Sequence, residues 1–202
     1  MTKNEIRARA RSYRRALSET EYRNRSQRIR SVLGTLDSLS SASVLHAYWP
    51  LVDRREIDLR PLLRTHLYEG GQLVLPIMSR SAGDEPMLEH RLLAQPSELE
   101  ALEPNEWGVL EPTTGRSVDP EEADLILVPA LAASPDGHRV GYGAGYYDRF
   151  LRDLDHAVPT ICAVYSACVT RKIPADAHDV RVDALVTEQR VRRTATRGSR
   201  TS

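Results

Sequence analysis

The run Leu125-Ile126-Leu127-Val128 constrains the fold of this chain more than any other stretch. Four consecutive apolar residues with no polar alternation make a strand that cannot show either face to water. Residues 158–165 (VPTICAVY) form a second such strand. Strands of this kind belong in a sheet covered on both sides, and parallel neighbours need crossover connections that are usually helical.

The rest of the chain supplies those layers. Thr2-Lys3-Asn4-Glu5 reads as a capping box opening a helix to about residue 17, and Ser18-Glu19-Thr20-Glu21 opens a second to about residue 36. Together they predict an N-terminal helical hairpin. Residues 43–49 (SVLHAYW) read as a strand, and Asp58 as the cap of a helix to Tyr68, stopped by Gly70-Gly71. Residues 72–78 form the next strand, with Pro76 marking its end. Residues 87–94 alternate like a strand nearer an edge, 97–102 form a helical turn, and 104–120 read as loop. A helix follows over 146–154 and a last strand over 183–187. The expected fold is α/β: a mainly parallel sheet with helices on both faces, a Rossmann-like three-layer arrangement in one domain over residues 1–191. Residues 192–202 are polar, lack apolar periodicity and are expected to be a disordered tail.

Composition excludes several functions. The 202 residues carry 28 basic and 28 acidic groups, so the chain is not a strongly basic nucleic-acid binder, although residues 1–30 hold ten of the cations. No run approaches the roughly 20 apolar residues of a membrane span, and the N-terminus lacks the apolar segment of a secretory signal. Two cysteines, Cys162 and Cys168, build neither a disulfide framework nor a zinc site. A cytoplasmic protein, monomeric and without a nucleic-acid or membrane partner, is expected. All but two of the basic residues are arginine; the exceptions are Lys3 and Lys172.

Chemistry concentrates in residues 125–151, LILVPALAASPDGHRVGYGAGYYDRFL. The order is strand, loop, glycine cluster, helix. Ligands in open parallel sheets bind beyond the carboxyl ends of strands. Gly141, Gly143 and Gly145 let the backbone approach a ligand at a helix N-terminus, where phosphate is favoured. Arg139 could add a bidentate contact. G-x-G-x-G is neither the dinucleotide fingerprint nor a P-loop, so a tight turn is as good a reading of spacing alone. Asp148 could hold Mg²⁺ against a nucleotide, or serve only in an ion pair with Arg149 or Arg152. Asp183 alone reads as a turn residue.

Arg139-x-Gly141-x-Gly143-x-Gly145-x-Tyr147-Asp148 resembles the signature of the 5-formyltetrahydrofolate cyclo-ligase family. Lys3-x-x-x-Arg7 is similar to the family's opening K-x-x-x-R, Glu56-Ile57-Asp58 to its E-[IV]-[DE], and Trp107-Gly108 to Pro112 to its aromatic-Gly-Ile-x-x-Pro. Pro174, Asp179 and Asp183 to Glu188 resemble its closing P…D…D-x-[IV]-V-T-E. The resemblance implies an ATP- and Mg²⁺-dependent enzyme that converts 5-formyltetrahydrofolate into 5,10-methenyltetrahydrofolate. It assigns ATP to Lys3, Arg7, Arg139, Val140, Gly141, Tyr142, Gly143, Ala144, Gly145, Tyr146 and Tyr147. It assigns the folate to Glu56, Trp107, Tyr146 and Tyr147, and Mg²⁺ to Asp148 with Asp183. No covalent nucleophile is implied.

The chain departs from the family after the buried strand. Ala133-Ser134 stands where a large apolar residue and Asp are usual, a smaller pair that either widens the folate pocket or leaves a gap filled by a neighbour. That departure motivates the rival reading, a non-catalytic folate or nucleotide sensor of the same fold. A nucleic-acid module built on the basic N-terminal helices is the remaining alternative.

Overall fold

The computed structural model describes residues 1–154 and 158–194. Its helices are α1 (Lys3–Ala16), α2 (Glu19–Leu33), α3 (Asp37–Ser40), α4 (Arg60–Tyr68) and α5 (Tyr146–Asp153). The strands are β1 (Val44–His46), β2 (Gln72–Arg80), β3 (Pro86–Leu93), β4 (Leu102–Pro104), β5 (Leu110–Pro112) and β6 (Arg116–Ser117). They continue as β7 (Leu125–Val128), β8 (Ala132–Ala133), β9 (Arg139–Val140), β10 (Thr160–Ala163), β11 (Ala184–Val186) and β12 (Val191–Arg193).

Eight strands form one sheet in the order β12-β11-β10-β7-β1-β2-β3-β6. The five central strands, β11 to β2, pair in parallel, and β12, β3 and β6 add antiparallel edges. The two-sided burial read from the apolar runs follows directly. Leu125 and Leu127 of β7 and Ile161 and Ala163 of β10 enter one core, which α1, α2 and α4 cover with Ile6, Ile29, Leu33 and Leu63. Ile126, Val128 and Cys162 enter the opposite core under Tyr146, Phe150 and Leu151 of α5. Alternating side chains of one strand thus stabilise two separate layers, at roughly 25 cal/mol per Å² of apolar surface removed from water.

Both predicted capping boxes form. The Thr2 side chain accepts the Glu5 N–H while Glu5 returns a bond to the Thr2 N–H, and Ser18 and Glu21 repeat the pattern. Only Leu17 and Ser18 separate the two helices. The second ends at Leu33 rather than near residue 36, because Gly34 caps it and a short helix follows. α4 begins at Arg60, one turn position later than an Asp58 cap requires; Asp58 instead accepts the Arg60 N–H and pairs with its guanidinium.

Pro76 does not end its strand. β2 runs on to Arg80, paired to β3 throughout. Its pairing to β1 stops at Val74, so the missing N–H of Pro76 falls where that edge has no ladder, and the next N–H on that edge, Met78, donates to Glu111 instead. The segment read as loop over 104–120 contains β5 and β6, both three residues or fewer. Arg192 and Arg193, placed in the tail by sequence, pair antiparallel with Leu185 and Ala184 as part of β12. Residues 195–202 of the expected tail lie outside the described residues. Among the described residues no helix is long and apolar enough to cross a membrane.

Candidate active site

A cleft of about 680 Å³ opens beyond the carboxyl ends of β1, β2 and β7. Tyr48 and Trp49 follow β1, Pro129 follows β7, and residues 139–148 form its far wall. The first turn of α1 closes one end with Lys3 and Arg7, and Asp176, His178 and Asp179 stand beside it. The chain order of strands makes this position inevitable: β7 and β1 are adjacent in the sheet although some eighty residues apart, so their following loops diverge and leave a crevice.

The glycine loop is shaped for close approach. Gly143 and Gly145 have φ of +113° and +83°, which side-chain-bearing residues rarely adopt, and Gly145 leads into α5. The N–H groups of residues 141–145 donate to no other described residue. Arg7 rests on this loop: its Nε donates to the Gly141 carbonyl at 3.0 Å, and its Nη1 to Asn4 at 2.6 Å. The Lys3 ammonium reaches Asp176 at 2.7 Å and Asp179 at 2.5 and 2.8 Å. Partial burial disfavours that ammonium, but its bonds to the two carboxylates hold its pKa above the ordinary lysine value. Burial pushes the Asp179 carboxyl up; the Lys3 bond and the Asp176 N–H more than offset this and hold it low.

Glu56 lies on the opposite wall, 5% exposed despite its charge. Its Oε2 accepts the Leu51 N–H at 2.8 Å, and its Oε1 accepts the Tyr142 hydroxyl and faces Arg14 Nη1 at 3.5 Å. Trp107 sits at the rim, 41% exposed, its carbonyl held by Arg54 at 2.9 Å. Tyr146 is buried under the glycine loop, and the Tyr147 hydroxyl is buried without a hydrogen-bond partner among the described residues. Burial drives the Tyr147 phenol well above its ordinary pKa, so it is a neutral donor at physiological pH.

Two assignments need correction. Asp183 is not in the cleft. It precedes β11 at the amino end of the sheet, where its Oδ2 accepts the Thr160 N–H at 2.8 Å and hydroxyl at 2.7 Å. Its carboxylate caps the start of β10, because parallel strands put residue 183 and the cleft at opposite ends. Asp148, Asp176 and Asp179 line the cleft instead: Asp148 Oδ1 accepts the Val180 N–H at 3.2 Å, and ligand atoms of Asp176, His178 and Asp179 lie within 4.8 Å of one another. The second correction concerns the altered turn. Ala133 and Ser134 are both wholly buried and neither lines the cleft, so the smaller side chain does not widen it. Ser134 donates to Asp136 at 2.6 Å, and the Gly137 N–H bonds the Ser134 carbonyl, so a carboxylate two residues on braces the turn.

Arg139 reaches the cleft but is already engaged, donating to the Val180 carbonyl at 2.5 Å and pairing with Asp148 at 3.1 Å. No sequence motif singled out Arg14. A signal existed: Ile6, Ala10 and Arg14 recur every four residues, so a cation occupies the buried stripe of α1. Burial pushes the thiols of Cys162 and Cys168 up to about 12 and about 11, so neither offers a thiolate nucleophile at neutral pH.

The sequence profile of the 5-formyltetrahydrofolate cyclo-ligase family matches residues 1–188. The chain belongs to that family, a family of enzymes. A 5-formyltetrahydrofolate cyclo-ligase from Mycolicibacterium smegmatis is 32% identical over 197 residues, covering 94% of this chain and 95% of the relative. The solution structure of an Aquifex aeolicus 5,10-methenyltetrahydrofolate synthetase superposes with a TM-score of 0.80 at 34% identity, covering 100% of this chain and 97% of that one. A Mycoplasma pneumoniae 5,10-methenyltetrahydrofolate synthetase shares the fold, with a TM-score of 0.71 at 22% identity, covering 93% and 99%.

Proposed function

We propose that this cyclo-ligase family member converts 5-formyltetrahydrofolate to 5,10-methenyltetrahydrofolate with ATP and Mg²⁺. One observation carries the reading. A single cleft brings a buried carboxylate suited to the amino and N–H groups of a pterin against a loop of unpartnered backbone N–H groups suited to phosphate.

The chemical difficulty is that a formamide oxygen is a poor leaving group. Transfer of the γ-phosphoryl group of ATP to that oxygen releases ADP and gives an iminium phosphate on N5. N10 then attacks the same carbon, the C–O bond breaks, phosphate departs, and the N10 proton passes to solvent. Such a sequence requires positioning and charge neutralisation more than a nucleophile. Glu56 holds the pterin, and the Tyr142 hydroxyl marks where a ligand donor meets Oε1. Trp107 covers the rim. The 141–145 amides and Arg7 receive phosphate oxygens; Lys3, released from Asp176 and Asp179, adds a second cation. Asp148, Asp176 and Asp179 all line the cleft, and carboxylate oxygens are what Mg²⁺ takes alongside phosphates. When bound there, the ion neutralises charge on the phosphoryl group.

The test is absorbance of the methenyl product from 5-formyltetrahydrofolate, with ATP and Mg²⁺ added or withheld. ATP-dependent product is expected. Folate and nucleotide binding without product would return the chain to the sensor reading.

A further inference from the structure

Among the described residues two cations near the cleft are buried, Arg139, which lines it, and Arg14. Arg14 is 4% exposed on the core stripe of α1, and it does not line the cleft. Its Nη2 donates to the Ala130 carbonyl at 2.7 Å, and its Nη1 points at Glu56 Oε1, 3.5 Å away, and at the Tyr142 hydroxyl, 3.4 Å away. Its Nε is buried with no hydrogen-bond partner among the described residues.

A guanidinium in this setting is a poor device for stability. Removing it from water costs several kcal/mol, and replacing a whole buried pair by apolar side chains usually does as well or better, although removing one partner alone strands the other charge. Burial disfavours the charged form, yet the Glu56 carboxylate beside it holds the Arg14 pKa above the ordinary arginine value. The guanidinium therefore stays charged inside the protein. The phenols of Tyr48, Tyr142 and Tyr147 also lie near Glu56 and supply no positive charge, and Arg11 and Arg54 stand farther off, over the Tyr142 ring.

We infer that Arg14 is a positioning residue for the folate. Anchored to the loop after β7 through Ala130, it fixes Oε1 of Glu56 and the Tyr142 hydroxyl in one place. A carboxylate so held presents its remaining lone pairs to the cleft in a set orientation. The contact also joins the folate wall to the glycine loop, since Tyr142 lies between Gly141 and Gly143. The inference rests on the reading that Glu56 receives the folate.

The experiment is a double-substitution cycle on the full chain, with KM for 5-formyltetrahydrofolate, KM for ATP and thermal midpoint measured for each protein. Arg14→Met is expected to fold with a lowered midpoint, because it leaves the Glu56 carboxylate buried without its cation. Its folate KM should rise about 10- to 100-fold, the loss of one charge-assisted bond, with ATP KM within about twofold. Arg14→Lys should recover part of that rise. In an E56Q background, Arg14→Met should add nothing further to the folate KM. If E56Q raises folate KM while Arg14→Met leaves it unchanged, or if the two losses simply multiply, the positioning role is overturned and the Glu56 reading stands. If E56Q itself leaves folate KM unchanged, the Glu56 reading fails and the inference falls with it.

Discussion

Lys3 and Asp183 show how far a residue's meaning depends on what faces it. Lys3 sits in the first turn of α1, where helix ends commonly fray, yet its ammonium is 19% exposed and bridges two aspartates more than 170 residues away. Lys3→Met is expected to raise KM for ATP about tenfold, with a stability loss of about 1 kcal/mol or less because the pair is partly solvated; a kinetic titration of ATP with a thermal scan checks both. Asp183 matches a family pattern in sequence, but its carboxylate caps β10. Asp183→Asn should lower the thermal midpoint while leaving the Mg²⁺ concentration for half-maximal turnover unchanged. Asp179→Asn should move that concentration upward. Equal effects of the two substitutions on Mg²⁺ dependence would return Asp183 to the site. Spacing could not separate them, because residues 179 and 183 differ only in which end of the sheet they reach.

The glycine loop and α1 act as one element. Gly141 has no atom within 4 Å of a built Cβ and no positive φ, whereas Gly143 combines φ of +113° with a Cβ position 3.4 Å from the Arg7 guanidinium. Gly141→Ala should therefore leave the thermal midpoint unchanged and yet weaken ATP use, since the only thing a methyl there would meet is the ligand. Gly143→Ala should cost about 1–2 kcal/mol in stability as well, from the strained backbone. Denaturant unfolding beside ATP kinetics separates the two. Strand and helix positions around this loop were legible because apolar periodicity and capping boxes are local signals. The short strands β5 and β6 were not, because two or three residues carry too little pattern and pair only where a neighbour already stands. The end of the chain follows the same rule: Arg192 and Arg193 read as tail by composition, but the open edge of β11 accepts their backbone whatever their side chains. Glu188 closes this region, accepting the Ser166 N–H at 2.8 Å and Arg25 Nη1 at 2.6 Å.

Across the molecule, the layer under α5 carries two buried imidazoles. His46 Nε2 and His90 Nδ1 share a hydrogen bond at 3.1 Å, and Phe150 stacks on His46 with centroids 5.0 Å apart. Burial lowers both pKa values, that of His90 to about 4 despite the opposing pull of Asp119, and that of His46 further by the charge of its neighbour. The unfolded chain then binds more protons than the folded one as pH falls from the ordinary histidine value near 6.5, so stability declines from there toward about 4. Because α5 carries Tyr146, Tyr147 and Asp148, this decline loosens one wall of the cleft. Urea unfolding at about pH 7 and about pH 4.5 should show it, and a His46→Phe, His90→Phe protein should lose less stability over the same interval. By itself the sequence determined the layered α/β architecture, the two capped N-terminal helices and the glycine loop before α5, since each follows from period, caps or backbone freedom within a few residues. Only the tertiary structure decided that Arg14 faces Glu56, that Asp148, Asp176 and Asp179 line the cleft while Asp183 does not, and that the altered turn lies outside it. Those outcomes depend on strand order and on which end of the sheet a loop leaves, and such long-range geometry has no local signature.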